Sequence, residues 1–169
     1  MPYHFRLATP SEVPQIWAIL EQAIQRRKAD GSAQWQDGYP NPEVVTQDIE
    51  NGVGYVLTFE EIIIAYSAIL INDEPEYANL KGKWITTGDF VVFHRIAVAE
   101  PFLGKGVAKA LFYAIEELAR QNHIYSIKAD TNYDNAAMLA LFEKTGYVYC
   151  GEVYFRGSER KAFEKVVAL

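Results

Sequence analysis

The chain has 169 residues, of which 50% are hydrophobic and 14% aromatic, and its formal net charge is -6. This length and apolar content suit one folded domain over residues 1–169 and exclude a disordered chain. The acidic balance argues against a nucleic-acid partner, because binding to phosphates needs a basic surface.

The single cysteine, Cys150, cannot form an intramolecular disulfide, and with three scattered histidines it cannot build a zinc cluster. We therefore expect a reducing compartment and no metal site. The N-terminus lacks a signal-peptide pattern, and the longest apolar run, at 62–71, is too short to span a bilayer. These features predict a cytoplasmic protein without a membrane partner.

The first half of the chain predicts a strand, two helices and a β-hairpin. Thr9-Pro10-Ser11-Glu12 is a capping-box pattern before apolar residues at helical spacing, so a helix is expected to begin there. Its end, Arg26-Arg27-Lys28, predicts a solvated basic turn. The other predicted elements are a strand at 4–8, a loop at 30–42, a helix at 42–51 and antiparallel strands at 55–59 and 62–71.

The second half predicts alternating strands and helices after a polar, turn-rich segment at 72–87. The apolar run at 89–98 predicts a central strand that is covered on both faces. Further expected elements are a helix at 104–121, a strand at 124–130, a helix from Asp134 or Asn135 to Gly146, and strands at 147–155 and 161–167. This order predicts a mixed α/β fold.

Gly104-Lys105-Gly106 connects the central strand to the next helix. Glycines let backbone N–H groups approach an anion, and a helix N-terminus favours negative charge. A Rossmann fingerprint would need glycine at Lys109, and a Walker A loop would need a Gly-Lys-Ser/Thr ending. An acetyl-CoA site and a turn without a ligand both stay open.

Two motifs resemble those of the GNAT superfamily of N-acetyltransferases. The turn resembles the family's Arg/Gln-x-x-Gly-x-Gly/Ala motif, with Pro101 in the Arg/Gln position, and 132–147 resembles its Asn...Ala...Leu-Tyr-Glu-Lys-x-Gly-Phe motif. The segment 5–9 and the following helix are also similar, so the resemblance covers nearly the whole chain. It implies the GNAT fold, a mixed, mostly antiparallel central sheet flanked by helices, with acetyl-CoA as cofactor.

The resemblance also implies the cofactor contacts. The strand before the turn would pair with the pantetheine arm, the turn would bind the pyrophosphate, and the second motif would flank the cofactor. Phe142 stands where the family often has a tyrosine that protonates the CoA thiolate, and phenylalanine has no proton to give. The implied residues are Ile96, Ala97, Val98, Leu103, Gly104, Lys105, Gly106, Val107, Ala108, Lys109, Asn132, Asn135 and Phe142.

His94 is the candidate general base, because histidine titrates in the useful range and strand alternation would place it on the face of Ile96 and Val98. Some family members have a catalytic histidine at this offset. A hydrogen-bonded core histidine is the alternative. Asp89 and Glu100 are further candidates for the base, and Tyr133, Cys150 and Tyr154 for the missing acid.

Trp35, Asp37 and Tyr39 lie in a loop that lines the acceptor site in many members of this fold. The aromatic rings could form walls and Asp37 could pair with an ammonium group. The alternative is a loop that its aromatic residues hold against the protein surface.

The resemblance implies transfer of an acetyl group from acetyl-CoA to a primary amine of a small molecule or peptide, by direct attack in a ternary complex. A non-catalytic acyl-CoA sensor is the alternative that Phe142 favours, and a nucleotide-phosphate enzyme is a third. The closing strands are compatible with a homodimer, and the acceptor is left open.

Overall fold

A computed structural model describes residues 2–168, which contain four α-helices and eight strands. The helices are α1 (Val13–Ala29), α2 (Pro42–Glu50), α3 (Val107–Gln121) and α4 (Ala136–Lys144). The strands are β1 (Tyr3–Leu7), β2 (Gly54–Phe59), β3 (Ile62–Ile71), β4 (Lys81–Gly82), β5 (Val91–Val98), β6 (Ser126–Asn132), β7 (Val148–Phe155) and β8 (Ser158–Val166).

The strands form one sheet in the order β1-β2-β3-β5-β6-β8-β7-β4. Pairing is antiparallel for β1–β2, β2–β3, β4–β7, β6–β8 and β7–β8, and parallel for β5–β6. This confirms the predicted mixed, mostly antiparallel sheet. Within residues 2–168, no helix combines the length and hydropathy needed to cross a membrane.

The chain forms two compact units. The first comprises the described residues through Ile69 together with Arg95–Ala114, and the second comprises Leu70–His94 together with the described residues from Ile115 onward. The single domain expected over 1–169 stays a prediction, and its end residues, Met1 and Leu169, lie outside the described residues.

In the first unit, α1 packs its apolar face into a core that includes Ile16, Leu20 and Val45, each fully buried. The predicted capping box is present, since the Thr9 N–H donates to the Glu12 carboxylate at 2.8 Å. However, 10–12 form a 3-10 turn and the α-helix begins only at Val13. A proline lacks an N–H and is tolerated only in the first turn of a helix, so Pro14 sets this later start.

In the second unit, β7 and β8 form a hairpin that turns at Arg156 and Gly157, which both have positive φ. Because the turn is this short, β8 begins at Ser158, three residues before the predicted start at 161. The sequence pattern missed β4, because two residues show no alternation. Gly82 of β4 pairs with Gly151 so closely that a Cβ on Gly82 would lie 2.1 Å from the Cys150 carbonyl oxygen.

Candidate functional site

An exposed turn leads from β5 into α3 in the first unit. Gly104 and Gly106 have φ of 73° and 77°, and no atom lies within 4 Å of a Cβ built on either residue. Side-chain-bearing residues rarely adopt such φ values. The backbone conformation of the turn, and not a lack of space, therefore favours glycine at both positions.

The turn presents the N-terminus of α3 to solvent. The Ala110 N–H donates to the Gly106 carbonyl at 3.0 Å, and α3 begins at Val107, so the predicted start at 104 is wrong. The N–H groups that precede this bond are those that a helix cannot satisfy internally. The exposed side chains of Lys105 and Lys109 add positive charge. A multiply charged phosphate ligand matches this arrangement.

The end of β5 is held by α1. The Arg26 Nη2 donates to the Val98 carbonyl at 3.2 Å, and the Gln22 side chain accepts from the Glu100 N–H at 3.0 Å. Ile96, Ala97 and Val98 are buried. Arg26 is therefore not the solvated residue that the sequence predicted, because it fixes the strand that precedes the turn.

Arg95 interrupts β5 with a φ of 55°. Its guanidinium donates to both carboxylate oxygens of Asp48, at 3.0 and 2.7 Å, and to the Tyr39 hydroxyl. The Tyr66 hydroxyl donates to the same carboxylate at 2.6 Å. A positive φ in a residue other than glycine costs about 1–3 kcal/mol and persists only where its surroundings enforce it. The buried cluster of Asp48, Arg95, Tyr39 and Tyr66 does so here.

The conformation of Arg95 also bears on the prediction that His94 is the general base. Side chains alternate between faces only along a regular extended strand. The prediction that His94 shares a face with Ile96 and Val98 assumed such a strand, and the φ of Arg95 contradicts that assumption.

His94 lies in the second unit and is half-buried. Its Nε2 is 2.8 Å from Oε2 of Glu74, and the rings of Tyr77 and Phe155 lie 6.4 and 6.3 Å from its ring. A carboxylate partner on Nε2 favours the tautomer with the proton on that nitrogen. Sequence reasoning missed Glu74, because nothing in the polar segment 72–87 distinguishes it from the other acids.

The two aromatic residues of the loop at 30–42 pack against the core of the first unit. Trp35 is 5% exposed and belongs to the core of the first unit. The Arg27 guanidinium covers its ring, with Cζ 3.8 Å from the ring centre. The Tyr39 hydroxyl accepts a hydrogen bond from the Arg95 guanidinium, and Asp37 is exposed. The structure thus favours the alternative in which the aromatic residues anchor the loop. It also shows Arg27 to be half-buried and not solvated.

The residues of the second motif shape the connection between β6 and α4. The Asn135 side chain caps α4 by accepting from the Met138 N–H at 3.2 Å, and Asn132 Nδ2 donates to Asp134 at 2.8 Å. Phe142 is fully buried, and its ring centre lies 4.7 Å from that of Phe163. Asn132 and Asn135 therefore order the turn, and Phe142 is a core residue without an ionisable group.

The parallel ladder between β5 and β6 is short. Within the described residues it includes only the pairs Val91–Ile127 and Val92–Lys128, although β6 continues to Asn132. On its other side, β6 pairs with β8 over its whole length. An extended ligand adds to a sheet by hydrogen bonding to the backbone of a strand edge that has no neighbouring strand.

The candidate acids differ in their surroundings. Hydrogen bonding to Glu152 raises the pKa of Tyr133 to about 12, and Tyr133 is exposed. Burial raises the pKa of the Cys150 thiol. Tyr154 is exposed. Among residues 2–168, no group of three or more His, Cys, Asp or Glu side chains is arranged to hold a metal ion.

Known proteins resemble the chain in sequence and fold. Residues 18–147 match the model of the acetyltransferase (GNAT) family. A GNAT family acetyltransferase from Streptococcus agalactiae is 33% identical, with a TM-score of 0.90 and coverage of 99% of this chain and 96% of that chain. One from Listeria monocytogenes is 20% identical, with a TM-score of 0.78 and coverage of 98% and 95%. No curated protein sequence matches significantly.

A third structure, yncA from Salmonella typhimurium with its cofactor acetyl-CoA, is 15% identical, with a TM-score of 0.70 and coverage of 100% of this chain and 96% of that chain. At this identity the likeness concerns the fold.

Proposed function

Because the chain belongs to the acetyltransferase (GNAT) family, we propose that it transfers an acetyl group from acetyl-CoA to a primary amine of a small molecule or peptide. The observation that carries the proposal is the exposed turn with Gly104 and Gly106 in left-handed conformation at the start of α3. The acetyl-CoA in the fold relative from Salmonella typhimurium supports the choice of donor.

The turn is proposed to bind the CoA pyrophosphate through the N–H groups of 103–108, with Lys109 nearby. Backbone hydrogen bonds at a helix N-terminus suit an anion whose charge is spread over several oxygens. The backbone of Ile96, Ala97 and Val98 is proposed to pair with the pantetheine arm. Asn132 and Asn135 stay proposed cofactor-binding residues, as the resemblance implies, and their hydrogen bonds order the turn between β6 and α4.

The proposed reaction is direct attack of a neutral amine on the thioester carbonyl carbon. A C–N bond forms, the C–S bond breaks, and CoA leaves as the thiol after its sulfur gains a proton. The Val98 N–H is the proposed donor to the carbonyl oxygen. His94, held by Glu74, is proposed to accept the amine proton. Positioning supplies much of the rate, since the thioester is already activated.

The test is release of free thiol from acetyl-CoA when a broad panel of amines is added. The expected result is release that depends on both enzyme and amine, with an acetylated amine detected by mass spectrometry. Thiol release without amine measures hydrolysis and serves as the control. CoA binding without release across the whole panel would contradict the transferase and favour the acyl-CoA sensor, for which the absence of a hydroxyl on Phe142 is the supporting feature.

A further inference from the structure

A cavity of about 580 Å³ lies within the second unit, away from the turn before α3 in sequence. The segment 72–90 provides its walls and Lys128 of β6 contributes to its lining. This volume lies in the range of small-molecule sites. Tyr77, Trp84 and Phe90 supply aromatic surface, and Asp73 and Glu74 supply carboxylates.

Lys128 is an unusual lining residue because it is only 4% exposed. Its Nζ lies 4.4 Å from the centre of the Trp84 ring and 4.3 Å from that of Phe90. Within residues 2–168, this ammonium forms no hydrogen bond or salt bridge. Burial lowers its pKa, as expected for a cation removed from water. A buried ammonium without a salt-bridge partner is only partly compensated by a nearby charge, so a ligand anion in direct contact would stabilise it further.

Glu164 lies opposite Lys128 in the β6–β8 ladder, but within residues 2–168 the two side chains form no salt bridge. Glu164 is fully buried, and its carboxylate accepts from the Ser126 hydroxyl at 2.6 Å, from the Ile85 N–H at 2.8 Å and from the Thr86 hydroxyl. These bonds hold Glu164 in the wall that carries Ile85 and Thr86. As the cross-strand partner of Lys128 in the β6–β8 ladder, Glu164 attracts its ammonium. Its carboxylate is held by other donors, so the ammonium is left to line the cavity.

Lys83 and Asp73 also line the cavity, and the remaining charged lining residue, Glu74, is linked to the proposed base. Glu74 lines the cavity, and its carboxylate binds His94. Val92 pairs with Lys128 in the β5–β6 ladder, and His94 follows Val92 by two residues, or about 7 Å along the strand. The cavity thus has a cation and a carboxylate–histidine pair separated by roughly the reach of a small zwitterion, with aromatic walls nearby.

We propose that this cavity binds the acceptor and that the acceptor is a free amino acid with an apolar side chain. Its carboxylate contacts Lys128, its side chain lies against Trp84 and Phe90, and its amine is directed toward Glu74 and His94. This inference rests on the proposed transferase function. Transfer forms the C–N bond, breaks the thioester C–S bond and passes the amine proton to His94. The amide product carries no ammonium charge, so it loses the attraction to Glu74 and can leave.

The first test is calorimetry on the CoA-loaded enzyme with L-phenylalanine, L-leucine and L-methionine. Each is compared with its decarboxylated amine, and 3-phenylpropanoate represents the carboxylate alone. At least one amino acid is expected to bind about tenfold or more tightly than its matched amine, as for a buried charge pair. Equal affinity of all amino acids and their amines, or no binding of any, would overturn the proposal.

The matched variants are Lys128→Met, Lys128→Arg and Lys81→Met. Lys128→Met is expected to weaken amino-acid binding about tenfold or more while CoA affinity and amine binding stay unchanged. Lys128→Arg keeps the charge and should retain most of the affinity. Lys81 is an exposed lysine of the same unit, so its variant serves as the control for charge. Unchanged amino-acid binding in Lys128→Met would contradict the proposal.

Turnover separates this inference from the proposed function. If the amine panel gives thiol release and Lys128→Met has the wild-type KM for amino acids, the cavity is not the acceptor site although the transferase function stands. If no amine gives release, the transferase function fails, and calorimetry alone then decides whether the cavity binds amino acids.

Discussion

At the residue scale, buried charge partners explain how β5 keeps an irregular backbone at Arg95. Asp48 is 5% exposed and accepts from Arg95 and Tyr66. No local sequence spacing connects these residues, since 47 positions separate Asp48 from Arg95. The sequence motifs could therefore predict the turn that follows β5 but not the cluster that shapes the strand.

Asp48→Ala is expected to lower the free energy of unfolding by about 3–5 kcal/mol, because it leaves a buried guanidinium without its carboxylate. Tyr66→Phe removes only one hydrogen bond to that carboxylate and should cost about 1.5–3 kcal/mol. Urea denaturation measures both values. Equal losses in the two variants would show that the ion pair does not dominate the stability of this cluster.

His94→Ala is expected to lower kcat about 10²–10⁴-fold, since it removes the proposed proton acceptor, while CoA affinity stays unchanged. Glu74→Gln keeps a hydrogen-bonding group beside the ring and should reduce kcat less. The pH–rate profile provides the decisive readout. A variant that retains the wild-type profile would remove His94 from the mechanism and leave it as a core histidine.

At the element scale, capping and turn chemistry set the boundaries of the helices. Asn135 caps α4 as predicted, whereas Pro14 delays α1 and the left-handed glycines delay α3. Propensity patterns locate such elements but place their ends less well, because the end depends on which backbone groups find partners. The two-residue strand β4 has no pattern to detect and exists only through its pairing with β7.

The capping box of α1 predicts a pH dependence of stability. The Arg6 guanidinium, with Nη2 at 2.7 Å from the Glu12 carboxylate, lowers the pKa of that carboxyl from 4.5 to about 2. A depressed native pKa gives stability that is present above the unfolded pKa and is lost as pH falls through the native pKa.

The difference in unfolding free energy between the wild type and Glu12→Gln should therefore be constant above about pH 5 and shrink as the pH falls from 4.5 toward 2. Thermal unfolding at a series of pH values measures it. Arg6→Gln should weaken the same dependence strongly and leave the smaller part that comes from the Thr9 N–H bond to Glu12. A difference that grows on acidification would contradict the assigned partner.

At the scale of the whole molecule, the fold could be predicted because two motifs at the family's separation resemble GNAT sequences, and the sheet and the 33% identical relative confirm it. The acceptor site could not be predicted in this way. Its candidate residues, Glu74, Trp84 and Lys128, come from a segment without a motif and from a strand whose inward-facing lysine looks like any other charged residue.

The most direct test of the central claim is calorimetry of CoA binding to Gly106→Glu, with Gly157→Glu as the matched control. Gly157 has nearly the same φ, 76°, also with no atom within 4 Å of a Cβ, but lies in the β7–β8 turn. Both variants strain the backbone, and only Gly106→Glu puts a carboxylate among the pyrophosphate donors. The proposed site predicts a loss of CoA affinity of about a hundredfold or more in Gly106→Glu and wild-type affinity in Gly157→Glu. Wild-type affinity in Gly106→Glu would show that the turn before α3 does not bind the cofactor.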